Sequence, residues 1–268
     1  MNILKNTIKI GLNKPVGLLH ITDTHFPQYD PNDESVMNAR KNIENQFCAL
    51  VSYAKNNDLL LIHTGDFMTF CNEENCRMAD KYLSGLDYCI AIGNHDFCHE
   101  GGNGDAVENV DRNTAVIAPH FAQNLYFDTK IINGELNIVT LNNAFFQIDS
   151  CQIELLKKES AKGFPIILCM HIPIFSPDHA KARMQLGNCA HLLGVPDELL
   201  DIYPAPYKFH KPNETTLQAI QYIKNETAIK AVIAGHTHMN YEEELEGHTL
   251  QFVTSCGSEG CARVITVE

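Results

Sequence analysis

Asp23, His25, Asp66, Asn94, His171, His236 and His238 are the side chains of this sequence best suited to chemistry. They offer carboxylate and carboxamide oxygens and imidazole nitrogens without a thiolate, a donor set that suits hard or borderline metal ions. They are too many for one tetrahedral ion. They suffice for two if one carboxylate is shared. Two ions about 3.5–4 Å apart clamp both the entering and the leaving oxygen of an in-line displacement at phosphorus. Such ions also bring the pKa of bound water near neutrality, which supplies a nucleophile.

Each candidate stands just past a short apolar run. The runs cover residues 16–22, 59–64, 89–92, 166–169 and 231–234. Runs of this length read as buried strands, and open α/β sheets gather their sites at strand ends. The candidates are thus expected at one shared edge. Asp23 and His25 are two apart, as are His236 and His238; in extended backbone each pair would point to one side. Gly65, Gly93 and Gly235 adjoin candidates and permit sharp turns or close approach.

The ordered patterns Asp23-Thr24-His25, Gly65-Asp66, Gly93-Asn94-His95-Asp96, His171 and Gly235-His236-Thr237-His238 resemble those of the calcineurin-like metallophosphoesterase superfamily. The resemblance spans most of the chain. It implies two mixed β-sheets packed as a sandwich and flanked by helices. It also implies a dinuclear centre of Mn, Fe, Zn, Ni or Co. Asp23, His25 and His238 would bind one ion, Asn94, His171 and His236 the other, and Asp66 would bridge. His95 would protonate the leaving alkoxide, with Asp96 as the acceptor that orients it. The implied reaction is phosphoester hydrolysis by a metal-bridging hydroxide, with a small phosphodiester as the expected substrate. Phosphomonoesters, nucleotide pyrophosphates and phosphoproteins stay open. Thr69, three residues past Asp66, departs from the family's frequent carboxylate or amide; positions of that kind tune metal affinity.

The same residues also admit structural roles. Asp23 and Asp66 suit turns, and Asp96 suits a helix cap. A scaffold without activity would be expected to lack ligands, and none is lacking. A nuclease sits poorly with a formal net charge of −13, which opposes a broad electrostatic grip on nucleic acid. No run reaches the roughly 20 apolar residues of a membrane span. The first thirteen residues carry no apolar signal-peptide core. A cytoplasmic chain that binds neither membrane nor nucleic acid is expected, with its ten cysteines reduced. Oligomeric state is not legible.

Residues 33–57, 74–86, 150–162 and 213–225 read as helices. Asn133-Gly134 marks a hairpin, and residues 249–254 and 262–267 read as a second antiparallel pair. The scatter of candidates over residues 23–238 makes one domain, 1–268, the economical division. Residues 176–211 form a long stretch rich in proline and aromatic residues; stretches of that length tend to be functional. They are expected either to rim the substrate site or to pack on the sheet edge. Gly101-Gly102-Asn103-Gly104 is a second rim candidate, and His99 could reach the site. His20 and His63 read as buried, hydrogen-bonded imidazoles, and His120 and His248 as surface residues.

Overall fold

Side-chain alternation along single strands shows how the layers are built. In β2 (Val16–Ile21), Leu18 joins the cluster between two sheets, while Leu19 and Ile21 join a cluster under helices. The same period of two recurs in β3 (Leu60–His63), β6 (Leu136–Leu141), β7 (Ile166–Cys169) and β8 (Ile229–Ala234). Ile62, Ile138, Ile167 and Ile233 face inward; Leu61, Val139, Leu168 and Val232 face outward. Strands buried on both faces in this way need near-continuous apolar sequence, which these runs supply.

The computed structural model describes residues 1–98, 110–187, 189–202 and 210–268. Two mixed sheets form the sandwich. Strand β1 (Asn2–Ile8) lies at the edge of the first, beside β11 (Cys261–Val267); β2, β3 and β4 (Tyr88–Ile90) follow. The second runs β5 (Phe127–Ile132), β6, β7, β8, β10 (Leu250–Val253) and β9 (Tyr241–Glu244). Helices α1 (Glu34–Asn56), α2 (Glu73–Leu83) and α3 (Val110–Ile117) cover the first sheet. Helices α4 (Ser150–Ser160) and α7 (Glu214–Asn225) cover the second. Within the stretch 176–211 lie α5 (Pro177–Gln185) and α6 (Asp197–Leu200), with a small core of their own around Ala180, Leu192, Val195 and Leu200.

Strands β2, β3 and β4 are mutually parallel, as are β7 and β8. Their C-terminal ends therefore collect on one rim, where every candidate residue follows. The expected helices start close to where side-chain caps hold them: Asp33 caps α1, Asn72 caps α2, and Asp149 with Gln152 makes a reciprocal capping box on α4. The Asn133-Gly134 turn, both residues at positive φ, joins β5 to β6.

One expectation about the strands needs correction. Residues 249–254 and 262–267 do not pair with each other. Strand β10 pairs with β8 and β9, whereas β11 pairs with β1 and β2. The 3-10 turn Gly257–Glu259 carries the chain from one sheet to the other, with Gly257 N–H donating to Thr22 O at 2.7 Å. A Cβ at Gly257 would fall 2.7–2.8 Å from Ile21 and Thr22, so only glycine lets this crossing hug the rim. The N-terminal segment is also a strand, although its mixed polar sequence shows no strong alternation. An edge position, half exposed, asks little of it.

Candidate metal centre

Asp23 follows β2, Asp66 follows β3, Asn94 follows β4, His171 follows β7, and His236 and His238 follow β8. The backbone there is not extended. Asp23, His25, Asp66, His236 and His238 have φ of 51, 46, 51, 64 and 51°. The extended-pair expectation is thus corrected: left-handed turns, not strand pleat, bring each pair to one side. Non-glycine residues enter this region at a cost and persist where surrounding structure fixes them.

That structure is visible. Asp23 N–H donates to Gly65 O (3.0 Å), His25 N–H to Asp66 O (2.9 Å) and Gly235 N–H to His171 O (3.0 Å). Asp23 Oδ2 accepts from Thr22 Oγ1 (2.7 Å) and from His236 N–H (2.9 Å). Two glycines permit the close approach. A Cβ at Gly93 would stand 2.3 Å from Asp66 Oδ1, and one at Gly235 would stand 1.9 Å from Thr22 Oγ1. Gly235→Ala is therefore expected to destabilise by about 1–3 kcal/mol or more, read as a lowered thermal midpoint, and to displace Asp23.

Two sets of donor atoms converge. In the first, Asp23 Oδ1 lies 3.2 Å from His238 Nε2 and 3.7 Å from His25 Nε2, and the two imidazole nitrogens are 3.2 Å apart. In the second, His171 Nε2 lies 3.2 Å from Asp66 Oδ2, 3.2 Å from Asn94 Oδ1 and 3.1 Å from His236 Nδ1. Asp66 Oδ2 is also 3.6 Å from His25 Nε2, so this one oxygen belongs to both sets. Ligand atoms ~2.1 Å from an ion sit about 3.0 Å apart at octahedral and about 3.4 Å apart at tetrahedral angles. The separations of 3.1–3.2 Å fall between those edges, and the two from His25 Nε2 to the carboxylates, 3.6 and 3.7 Å, lie slightly beyond them.

The residues fit a pair of cations on other grounds too. Asp23 Oδ1 is buried and accepts no hydrogen bond; His238 Nε2 approaches it without hydrogen-bond geometry. A buried carboxylate oxygen with no hydrogen bond is costly; a metal cation would take the place of the imidazolium that now faces it. His171 Nδ1 faces Thr64 O at 2.6 Å. A carbonyl only accepts, so Nδ1 carries a hydrogen and Nε2 is the nitrogen left for a metal once its own proton is displaced, the arrangement that orients ligand histidines. Burial would raise Asp23, yet His238 and His25 hold it well below the carboxylate range. Burial likewise opposes charge on His171, but Asp66 pushes it up to about 9. His238, beside Asp23 and then Cys256, goes up to about 11.

In the metal-free protein these shifts have a sign. His171 has a folded pKa of about 9 against 6.5 unfolded. Its stabilisation is fully present below 6.5 and is lost as pH rises through 9. At pH 7 metal must displace that proton. Binding is expected to release protons, measurable by calorimetry in buffers of differing ionisation enthalpy. Equal heats in every buffer would contradict it.

His95 sits at the rim. Its N–H donates to Asp66 Oδ1 at 2.8 Å, and its ring meets His25 edge-on at 4.8 Å. Its Nδ1 faces Thr69 O at 3.4 Å. The expected hydrogen bond from His95 to Asp96 is a correction: Asp96 is fully buried, and its oxygens accept Met68 N–H and Gly93 N–H, both at 2.9 Å. Asp96 thus ties the loop of Asp66 to the loop of Asn94. Burial, then the charge of Asp66, pushes its carboxyl up to about 7.

Several supporting residues escaped sequence reasoning. Asn143 Oδ1 accepts His171 N–H and Ile172 N–H, and its Nδ2 donates to Ile172 O. Phe146 holds φ 60° and sets its edge against His236. Neither carries a local signal; each acts through a contact distant in sequence. Thr69 Oγ1 donates to His25 O at 3.1 Å, so the departing residue steadies a ligand's backbone. His20 is buried between Thr64 and Thr254 hydroxyls, and burial pushes His63 down to about 3. His248 is exposed and His120 pairs with Asp80 at 2.8 Å. The ten cysteines are free thiols. His99 and Gly101 to Gly104 lie outside the described residues.

The sequence matches the calcineurin-like phosphoesterase family over residues 17–240. The chain belongs to that family. As a calcineurin-like phosphoesterase it is a metal-dependent phosphoric-ester hydrolase, and the family binds two metal ions. No curated protein matches the sequence significantly. Among solved structures, a dimetal phosphatase from Danio rerio superposes with a TM-score of 0.56 at 9% identity, over 93% of this chain and 91% of that one. A purple acid phosphatase from yellow lupin (Lupinus luteus) seeds superposes with a TM-score of 0.51 at 16% identity, over 94% of this chain and 45% of that one. At such identities the likeness speaks for the fold. Among the described residues no helix is long and apolar enough to cross a membrane.

Proposed function

We propose that this phosphoesterase holds two ions through the donor sets above and hydrolyses a small phosphodiester. Asp23, His25 and His238 bind the first ion. Asn94, His171 and His236 bind the second, and Asp66 Oδ2 is common to both. The observation that carries the reading is that single shared oxygen, within 3.2–3.6 Å of donors from each set. When bound, the ions would neutralise charge on the non-bridging phosphoryl oxygens and supply an activated water for in-line attack. Mn, Fe, Zn, Ni and Co all suit oxygen and imidazole donors.

His95 stands beside the shared oxygen without belonging to the ligand pattern. With its Nδ1–H held by Thr69 O, its Nε2–H is the proton to deliver to the departing alkoxide. Asp96 acts by fixing the Asn94 loop rather than by touching His95. The chain acts as one domain, 1–268, with the described part of the 176–211 stretch at the rim. His191 supports that placement: its ring lies 5.4 Å from that of His236. Small phosphorylated molecules suit a site whose positive charge is metallic in an otherwise acidic chain.

An activity panel on the Mn-reconstituted protein tests the substrate class. Higher kcat/KM on small phosphodiesters than on matched monoesters is expected. Preference for monoesters or a phosphoprotein would overturn the diester reading and leave the dinuclear one standing.

A further inference from the structure

The His236-Thr237-His238 turn delivers one donor to each set, so its backbone must be held from outside. Thr237 is buried, and both flanking histidines are at positive φ. Ser255 Oγ donates to His238 O at 3.0 Å, which secures one carbonyl. The Thr237 carbonyl is taken by Arg183 Nη1 at 3.0 Å. Arg183 belongs to α5, within the stretch the sequence left as rim or packing.

Helix α5 has a firm base for this contact. Ser176, its N-cap, hydrogen-bonds Glu243 Oε2 on β9, whose Oε1 accepts from Gln251 Nε2 on β10 at 2.8 Å. His179 stacks on Tyr241 at 4.3 Å and 11°. Just before the helix, Ile174 exchanges two hydrogen bonds with the Gln251 side chain, 2.8 and 2.9 Å. The helix is thereby fastened to the strands that follow His238, and Arg183 reaches back to the turn before them. Side chains on such rigid supports hold a geometry better than side chains on loops do.

We infer that Arg183 is a positioning residue for the dinuclear centre, and that helix α5 is a brace of the metal-ligand turn. The inference rests on the dinuclear reading. Without the guanidinium, the Thr237 carbonyl loses its partner and the two strained histidines lose a restraint.

Cobalt(II) titration of the whole chain, followed by visible absorption and calorimetry, tests this. R183M is expected to weaken binding of the more loosely held Co²⁺ by about 10–100-fold and to alter the d–d band. R183K keeps a cationic donor and should fall between R183M and the parent. R183Q repeats the measurement if R183M is not recovered folded. Parent-like affinity and spectrum in R183M or R183Q would overturn the role of Arg183 alone. A parent protein that takes up no Co²⁺ would overturn the dinuclear reading and this inference with it.

Discussion

Asp66→Ala is expected to abolish the paired metal centre and almost all activity. Its Oδ2 is the oxygen common to both donor sets, and its Oδ1 accepts His95 N–H. One truncation therefore removes a ligand from each ion and an anchor from the Asn94-His95 turn. Charge stabilisation by a bound ion is worth several kcal/mol, and each ~1.4 kcal/mol is tenfold in rate. A fall of roughly 10³-fold or more in kcat/KM follows, with bound metal dropping below two per chain. Elemental analysis beside kinetics checks both. An Asp66→Ala protein that keeps two ions would remove Asp66 from the bridging role.

His95→Ala should separate chemistry from metal binding. General-acid groups contribute about 10²–10⁴-fold, so kcat should fall by that order while metal content stays at the parent level. The loss should grow with the basicity of the leaving group: large for alkyl phosphoesters, small for p-nitrophenyl esters, whose leaving oxygen needs no proton. His95 also lies close enough to His25 and Asp66 to complete a group of possible metal donors. Loss of an ion in His95→Ala would make it a ligand instead. A uniform loss across leaving groups would contradict proton delivery.

The layers and the rim were legible because their signals are local. The runs before His171 and His236 are apolar without interruption, and those before Asp23 and Asp66 are broken only by His20, His63 and threonines, as strands buried on both faces require. Convergence at one rim followed from strand ends alone. What escaped was long-range. Strands β10 and β11 look like a hairpin over a few residues, but Gly257 passes the chain to the other sheet through a contact with Thr22. Asp96 sits next to His95 in sequence, yet its carboxylate serves Met68 and Gly93. The left-handed turns of the candidate ligands leave no compositional trace, since glycine is absent from those positions and tertiary hydrogen bonds impose them. Arg183 lies far along the chain from Thr237, and no periodicity foretells a helix reaching back to a turn.

Anomalous diffraction from crystals grown with Mn²⁺ tests the central claim most directly. The account predicts two peaks per chain, about 3.5–4 Å apart, on either side of Asp66 Oδ2, one within reach of His238 and the other of His171. A single peak, or peaks away from Asp66, would contradict it.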